Sequence, residues 1–262
     1  DLLLATPTIH KLSELAGCPI DVLTNQKSCD ILKYNSCVNN IIVLNGTDRD
    51  IASLISQLNS IKYSVVISIR TPLDLLFHYG LKGVHGYWTS NPYYERLRPV
   101  SRLLSRLSPA YNKKYYGNMH TVELVYSMVA NKKRFSIEYF SQMFASEIEA
   151  VELKKTLCDM DQFLVIHVGG QDEIRKLRID VLVDVINKLP FTCLLVGGKE
   201  DRERSKQITA KCVNAKDITG QLSLNCTYLL LQMAKACIAP DSVVMHIASA
   251  AGTKKKKIGH RA

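Results

Sequence analysis

The chain has 262 residues, 47% of them hydrophobic and 22% charged, which is typical of a globular protein with one large or two medium-sized domains. We expect no membrane span and no secretory signal, because no run approaches the ~18 apolar residues that a spanning helix needs. The formal net charge is +10, and the last nine residues, KKKKIGHRA, supply five of these charges. The moderately basic remainder favours phosphorylated ligands or an acidic membrane face, and no nucleic-acid-binding motif is evident.

The eight cysteines are scattered along the chain without a CxxC pair. Several lie in apolar runs, such as Cys193 in FTCLLV and Cys237 in AKACIA. This pattern favours buried thiols over a disulfide framework or a zinc site. We therefore expect a cytoplasmic protein without a metal or other cofactor.

The first half of the chain alternates apolar runs with helical patterns. Strands are predicted at PIDVLT, NNIIVLN and YSVVISI, and helices at TIHKLSELAG, beginning at Pro7, and at RDIASLISQLNSI. Past Tyr87 the pattern is irregular, and it becomes helical again over residues 96–106 and in TVELVYSMVANKK.

The second half repeats this order more regularly. Strands are predicted at QFLVIHV, FTCLLV and CIAP, and helices at IDVLVDVINKL, EDRERSKQITAKC and LSLNCTYLLLQMAKA. Strands that alternate with helices predict βαβ units, and hence a parallel sheet covered by helices on both faces. We predict two such domains, residues 1–157 and 158–262.

The turn after CIA is the first candidate site. Pro240, Asp241 and Ser242 end a predicted strand and open a helix, where free amides and the helix dipole favour an anion. His246 lies about one turn further and could face the same ligand. The alternative is that Asp241 or Ser242 merely caps the helix and that His246 is packed.

Other candidates follow the preceding predicted strands. Lys176 could reach a phosphate from the same sheet edge, and Glu200 or Asp201 could accept hydrogen bonds from a ribose, although all three also suit a solvated surface. The glycine pairs at 169–170 and 197–198 permit close backbone approach, but neither is a GxGxxG motif, so a dinucleotide dehydrogenase is disfavoured.

Two features of the first half carry charge that a substrate could use. Asp1 in DLLLATP could act as a general base, although its spacing alone is weak evidence. Arg98, Arg102 and Arg106 share one helix face, which suits an anionic acceptor, a membrane surface or plain solvent.

Five motifs, taken in order, resemble glycosyltransferase family 9, the lipopolysaccharide heptosyltransferases. They are DLLLATP, VIHVGGQDEIRKLRIDV (with His167, Gly169 and Lys176), LLVGGKEDRE, DITGQLSLN and DSVVMHIASA. The resemblance extends to about Thr253. It implies an α/β, GT-B-like fold with two Rossmann-like, doubly wound domains facing a cleft, an amino-terminal acceptor domain and a carboxyl-terminal nucleotide-sugar domain.

The same resemblance implies an inverting transfer of heptose from ADP-heptose to the inner core on lipid A, at the inner face of the membrane. Asp1 would deprotonate the acceptor hydroxyl and Lys176 would neutralise the departing diphosphate. Ser242 and the amides after it would hold phosphate, with His246 nearby. Asp241 would cap the turn or hold Lys176 or a sugar hydroxyl. The implied donor set is Gly169, Gly170, Lys176, Gly198, Glu200, Asp201, Asp241, Ser242, Val243 and His246.

Departures from the family pattern favour two alternatives. Val243 replaces a glycine, which weakens donor binding if the turn needs positive φ or the phosphate needs the space. The first strand is expected to be missing, and the lysines after Thr253 do not suit a buried strand, so the second domain is expected to be incomplete. The chain would then be an inactive, truncated remnant, or else another GT-B nucleotide-sugar enzyme.

Overall fold

A computed structural model describes residues 2–44, 48–69, 85–89, 140–157, 160, 162–170, 173 and 176–257. The described residues form two compact units. One contains residues 2–6, 27–38 and those from 140 onward, and the other contains residues 7–26 and 39–89. Compactness alone does not define a functional domain, so the boundary after residue 157 stays a prediction.

The smaller unit contains strands and helices predicted for the first half up to residue 69, whereas the helices predicted over residues 96–106 and in TVELVYSMVANKK lie outside the described residues. Strand β1 (Ile20–Asn25) pairs with β2 (Val38–Leu44), and β3 (Val65–Ile69) pairs in parallel with β4 (His85–Thr89). Helix α2 (Asp48–Ile61) buries Ile51 and Leu58 against apolar side chains of β1 and β2. Strand β4 is a finding that the sequence pattern did not predict, since HGYWT has only a short apolar stretch.

Helix α1 (Leu2–Ala16) begins earlier than predicted and contains Pro7 in its interior. A proline there cannot donate its amide hydrogen bond to the carbonyl four residues back, which is that of Leu3. The hydroxyl of Thr6 donates to this carbonyl instead, at 2.8 Å. A side chain therefore replaces the missing backbone donor, and the helix continues through the proline.

The larger unit contains a five-stranded parallel sheet with the order β7-β6-β5-β8-β9. Its strands are β5 (Phe163–His167), β6 (Thr192–Val196), β7 (Ala215–Asp217), β8 (Ala236–Ala239) and β9 (Lys255–Lys257). Its helices are α3 (Glu147–Leu157), α4 (Ile179–Asn187), α5 (Arg202–Thr209), α6 (Leu224–Met233) and α7 (Val243–Ala250). The predicted α/β class is confirmed.

Strand β5 lies at the centre of this sheet, and every one of its residues is buried. Phe163 and Val165 pack in one apolar cluster with α3, α6 and α7, whereas Leu164 and Ile166 pack in a second cluster with α4 and α5. Alternate residues of a strand point to opposite faces, so an uninterrupted apolar run requires helices on both faces.

Strand β9 shows that the sheet extends into the lysine run. Lys255, Lys256 and Lys257 pair in parallel with Cys237–Ala239 of β8, so the backbone of the sheet continues past Thr253. The outer edge of β8 offers backbone donors and acceptors that any residue type can satisfy, and lysine is common on edge strands. Backbone pairing therefore continues past Thr253, and the incompleteness of the second domain stays a prediction.

Seven cysteines lie among the described residues and all carry free thiols; Cys193, Cys212, Cys226 and Cys237 are buried, whereas Cys18 is exposed. None of the described helices combines the length and the hydropathy that crossing a bilayer requires.

Candidate functional site

The carboxyl edge of the larger sheet has a topological switch point between β5 and β8. From β5 the chain proceeds to β6 and β7 on one side, and from β8 it proceeds to β9 on the other. The loops after β5 and β8 therefore diverge and leave a crevice, which is where open α/β sheets bind ligands. The predicted donor residues all follow the carboxyl ends of β5, β6 and β8, so the fold brings them to this edge.

A hydrogen bond joins the two strands that flank the crevice. The Oγ of Ser242, just after β8, lies 3.1 Å from Nδ1 of His167, the last residue of β5. His167 is only 7% exposed. His167 was predicted only as part of a motif, without a role; the signal that could have found it is a histidine at the end of an otherwise apolar strand.

The first turn of α7 presents backbone amides at this point. Ser242 is the N-cap in extended conformation, and its side chain makes no capping hydrogen bond. The amide of Met245 donates to the carbonyl of Ser242 at 3.1 Å, while no described residue accepts from the amides of Val243 and Val244. Two donors and the positive end of the helix dipole therefore face the crevice.

Val243 occupies the first helical position, and its φ is not positive. The condition under which valine would strain this turn, a positive φ, is therefore not met, because Val243 has an ordinary right-handed helical backbone. The side chain is 41% exposed. The prediction that it competes with phosphate for space stays a prediction.

Burial dominates the electrostatics of His167. Desolvation lowers its pKa from 6.5 to about 4, although the negative charges of Asp201 and Glu200 oppose the shift. The imidazole is therefore neutral near pH 7 and acts as a hydrogen-bonding group without charge.

Asp201 has a structural role at the end of β6. Its side chain is 4% exposed, and one carboxylate oxygen accepts from the amide of Gly198 at 2.9 Å. A β-carbon added to Gly169 would overlap this carboxylate. Glu200, by contrast, is exposed. Of the two predicted ribose contacts, the structure leaves Glu200 accessible and engages Asp201 within the protein.

Lys176 forms an ion pair with Glu173. The side chain of Lys176 is 19% exposed and that of Glu173 is 80% exposed. The hydrogen bond and charge of Lys176, with a smaller contribution from Arg204, hold the pKa of Glu173 below its usual value. The Nε and Nη2 atoms of Arg204 are buried and have no hydrogen-bond partner among the described residues. Lys176 and Arg204 thus both act on one solvent-exposed carboxylate.

Four predicted site residues lie outside the described part of the chain: Asp1, Arg98, Arg102 and Arg106. Within that part, Asp241 is exposed at the turn and His246 is partly buried one helical turn beyond it. No group of three or more His, Cys, Asp or Glu side chains among the described residues could hold a metal ion.

Part of the chain that forms this site matches a known protein family. Residues 180–258, which contain the Glu200 turn, the Ser242 turn and β9, match the model of glycosyltransferase family 9 (heptosyltransferase). This part of the chain is similar to glycosyltransferase family 9. The recognition made from the sequence is confirmed, and the family match runs five residues beyond the predicted end at Thr253. No curated protein sequence matches the chain.

Solved structures with the same fold include several family 9 proteins. A glycosyl transferase family 9 protein from Veillonella parvula is 13% identical over the whole chain and 78% of its own length, with a TM-score of 0.81. The ADP-heptose lps heptosyltransferase II of E. coli is 17% identical over 98% of this chain and 80% of its own, with a TM-score of 0.77. The E. coli heptosyltransferase WaaC, solved with ADP-2-deoxy-2-fluoro heptose, is 14% identical over 100% of this chain and 90% of its own, with a TM-score of 0.69.

These similarities confirm the predicted GT-B-like fold, and the family match confirms the predicted class, a glycosyltransferase. Sequence identities this low show a shared fold. They do not show which donor or acceptor the chain uses.

Gly169 and Gly198 provide a matched pair of substitutions. Gly169→Ala forces the buried, hydrogen-bonded carboxylate of Asp201 to move, so we expect a loss of about 1 to 3 kcal/mol of unfolding free energy. Gly198→Ala meets only the end of the exposed Glu200 side chain, which can rotate away. Urea titration of both variants measures the difference, and equal losses would contradict this role of Asp201.

The buried His167 predicts a pH dependence of stability. Between pH 6.5 and pH 4 the unfolded chain binds a proton at this residue and the native chain does not, so its contribution is complete above pH 6.5 and is lost on acidification. From pH 7 to pH 4.5, we expect the wild type to lose about 2 to 3 kcal/mol more unfolding free energy than His167→Phe. Urea titrations at both pH values test this, and identical losses would show that the imidazole titrates normally.

Proposed function

We propose that the chain is an inverting heptosyltransferase that transfers heptose from ADP-heptose to the lipopolysaccharide inner core. The observation that carries this proposal is the pair of open amides on α7, located at the switch point within the family 9 match. An ADP-sugar presents a diphosphate, which is the ligand that such a helix start favours. The structure of E. coli WaaC with ADP-2-deoxy-2-fluoro heptose supports the same donor class.

In this proposal the donor lies along the carboxyl edge of the larger sheet. The amides of Val243 and Val244 bind a phosphate oxygen, and Lys176 neutralises the charge that develops on the departing diphosphate. Glu200 accepts hydrogen bonds from the ribose. Asp241 stays off the diphosphate, because like charges repel, and holds the turn or a sugar hydroxyl.

The remaining donor-side residues have shaping roles in the proposal. Gly169 and Gly170 let the chain pass close to the ligand after β5, and Gly198 does so after β6. His246 lies one turn along α7 from the phosphate. No metal is required, since a lysine and a helix dipole supply the positive charge.

The acceptor half of the reaction rests on predicted residues outside the described part of the chain. Asp1 takes the proton of the acceptor hydroxyl, whose oxygen attacks the anomeric carbon while the bond to the diphosphate oxygen breaks, and ADP leaves. Attack opposite to the leaving group inverts the anomeric centre. Arg98, Arg102 and Arg106 bind the anionic lipid A–core acceptor, and their charge suits a peripheral cytoplasmic location at an anionic membrane.

The ion pair of Lys176 predicts opposite effects of two substitutions on ADP affinity. Lys176→Ala removes a cation from the diphosphate, so we expect a loss of about tenfold or more. Glu173→Gln removes the carboxylate that competes for Lys176, so we expect a severalfold gain. Isothermal titration calorimetry with the whole chain measures both.

Lys188→Ala is the matched control for these variants, because Lys188 also forms an ion pair with an acidic neighbour, Asp184 of α4, and both side chains are exposed. It should leave ADP affinity unchanged. Absence of ADP binding by the wild type would contradict the proposed donor class. An unchanged ADP affinity of Lys176→Ala would show that Lys176 does not contact the donor.

A transfer assay separates the proposal from its alternatives. With ADP-heptose and a lipid A–core acceptor, we expect ADP release coupled to a product of inverted anomeric configuration. An inactive remnant would bind ADP and form no product. Another nucleotide-sugar enzyme would act on a different donor, which analysis of the products would reveal.

A further inference from the structure

The chain contains two serines that occupy the same position at helix starts and behave differently. Ser223 is the N-cap of α6 and Ser242 is the N-cap of α7, and both have extended backbones, with φ of −68° and −149°. The Oγ of Ser223 accepts from the amide of Cys226 at 3.0 Å, as a capping serine normally does. The hydroxyl of Ser242 makes no such bond.

His167 explains this difference. It ends β5, which pairs with β8 through Ile166 and Ile238, so its ring lies beside the turn that follows β8. A buried imidazole needs a hydrogen-bond partner, and the hydroxyl of Ser242 provides it at Nδ1. Because a hydroxyl both donates and accepts, either tautomer of the ring holds Oγ in the same place.

We propose that His167 is a positioning residue that holds the Ser242 hydroxyl away from the first turn of α7, so that the amides of Val243 and Val244 remain open to the donor diphosphate. This inference rests on the proposed function. A serine oxygen that capped α7 would occupy an amide donor and would place a partial negative charge beside an anionic ligand. The buried hydrogen bond between β5 and β8 therefore keeps the anion site open before the ligand arrives.

The first test is ADP affinity in a set of whole-chain variants, measured by calorimetry. In His167→Phe the hydroxyl is free to cap α7, so we expect affinity to fall about tenfold, the effect of losing one hydrogen bond to a charged group. The double variant His167→Phe/Ser242→Ala has no hydroxyl to misplace, so its affinity should return to that of Ser242→Ala alone. His167→Asn, whose amide can replace Nδ1, should retain most of the affinity.

Ser223→Ala is the matched control, since it removes a true cap outside the site. It should lower the melting temperature and leave ADP affinity unchanged. A merely structural role for His167 predicts that the double variant is at least as weak as His167→Phe, and that result would overturn the inference.

The second test needs no ligand and therefore does not depend on the proposed function. Backbone amide signals of Val243, Val244 and Met245 are compared by nuclear magnetic resonance in the wild type, His167→Phe and the double variant. We expect a shift and slower hydrogen exchange of at least one of these amides in His167→Phe, reversed in the double variant. Unchanged amides in His167→Phe would overturn the inference, whatever the ADP measurements show. Absence of ADP binding by the wild type would reject the proposed function alone.

Discussion

The burial of β5 on both faces is the constraint on which the larger unit depends. Its five residues are all buried, and the alternation of the first four between two apolar clusters requires helices above and below the sheet. Helices on both faces of a parallel sheet require the chain to reverse its winding direction, and the reversal occurs beside β5. The crevice, the polar end of β5 and the start of α7 are consequences of this one packing requirement.

The same constraint explains how far the sequence predicted this fold. The apolar runs of β5, β6 and β8 are long enough to identify strands, and their order predicted the parallel sheet. Strand β7 is only three residues, Ala215–Asp217, with no apolar run, because an edge strand needs backbone pairing and little burial. Strand β9 consists of lysines for the same reason. Interior strands can be predicted from their apolar side-chain pattern. Edge strands depend on backbone pairing with a neighbouring strand, which the local sequence does not contain.

The sequence likewise predicts some features of the candidate site and not others. The turns after β5, β6 and β8 were predictable, because glycines, acidic residues and a serine at strand ends have characteristic patterns. The choice between Glu200 and Asp201 was not, since both are carboxylates one residue apart, and only the packing of Gly169 against Asp201 separates them. The partner of Ser242 was not predictable either, because His167 is 75 residues away in sequence and the contact exists only once β5 and β8 pair.

Asp201 and Glu173, two of the carboxylates near this edge, differ in how each would respond to a dianionic ligand. Asp201 is buried and bound to the amide of Gly198, so its charge cannot move away, and a ligand must lie where that charge is already compensated. Glu173 is exposed and held by Lys176, so it can leave when a stronger anion arrives. Arg204, whose buried guanidinium nitrogens Nε and Nη2 find no hydrogen-bond partner in the described part of the chain, adds positive charge that acts on Glu173. In the proposed function, the donor diphosphate would replace the Glu173 carboxylate as the partner of Lys176. This exchange would need no metal and little rearrangement of the sheet edge.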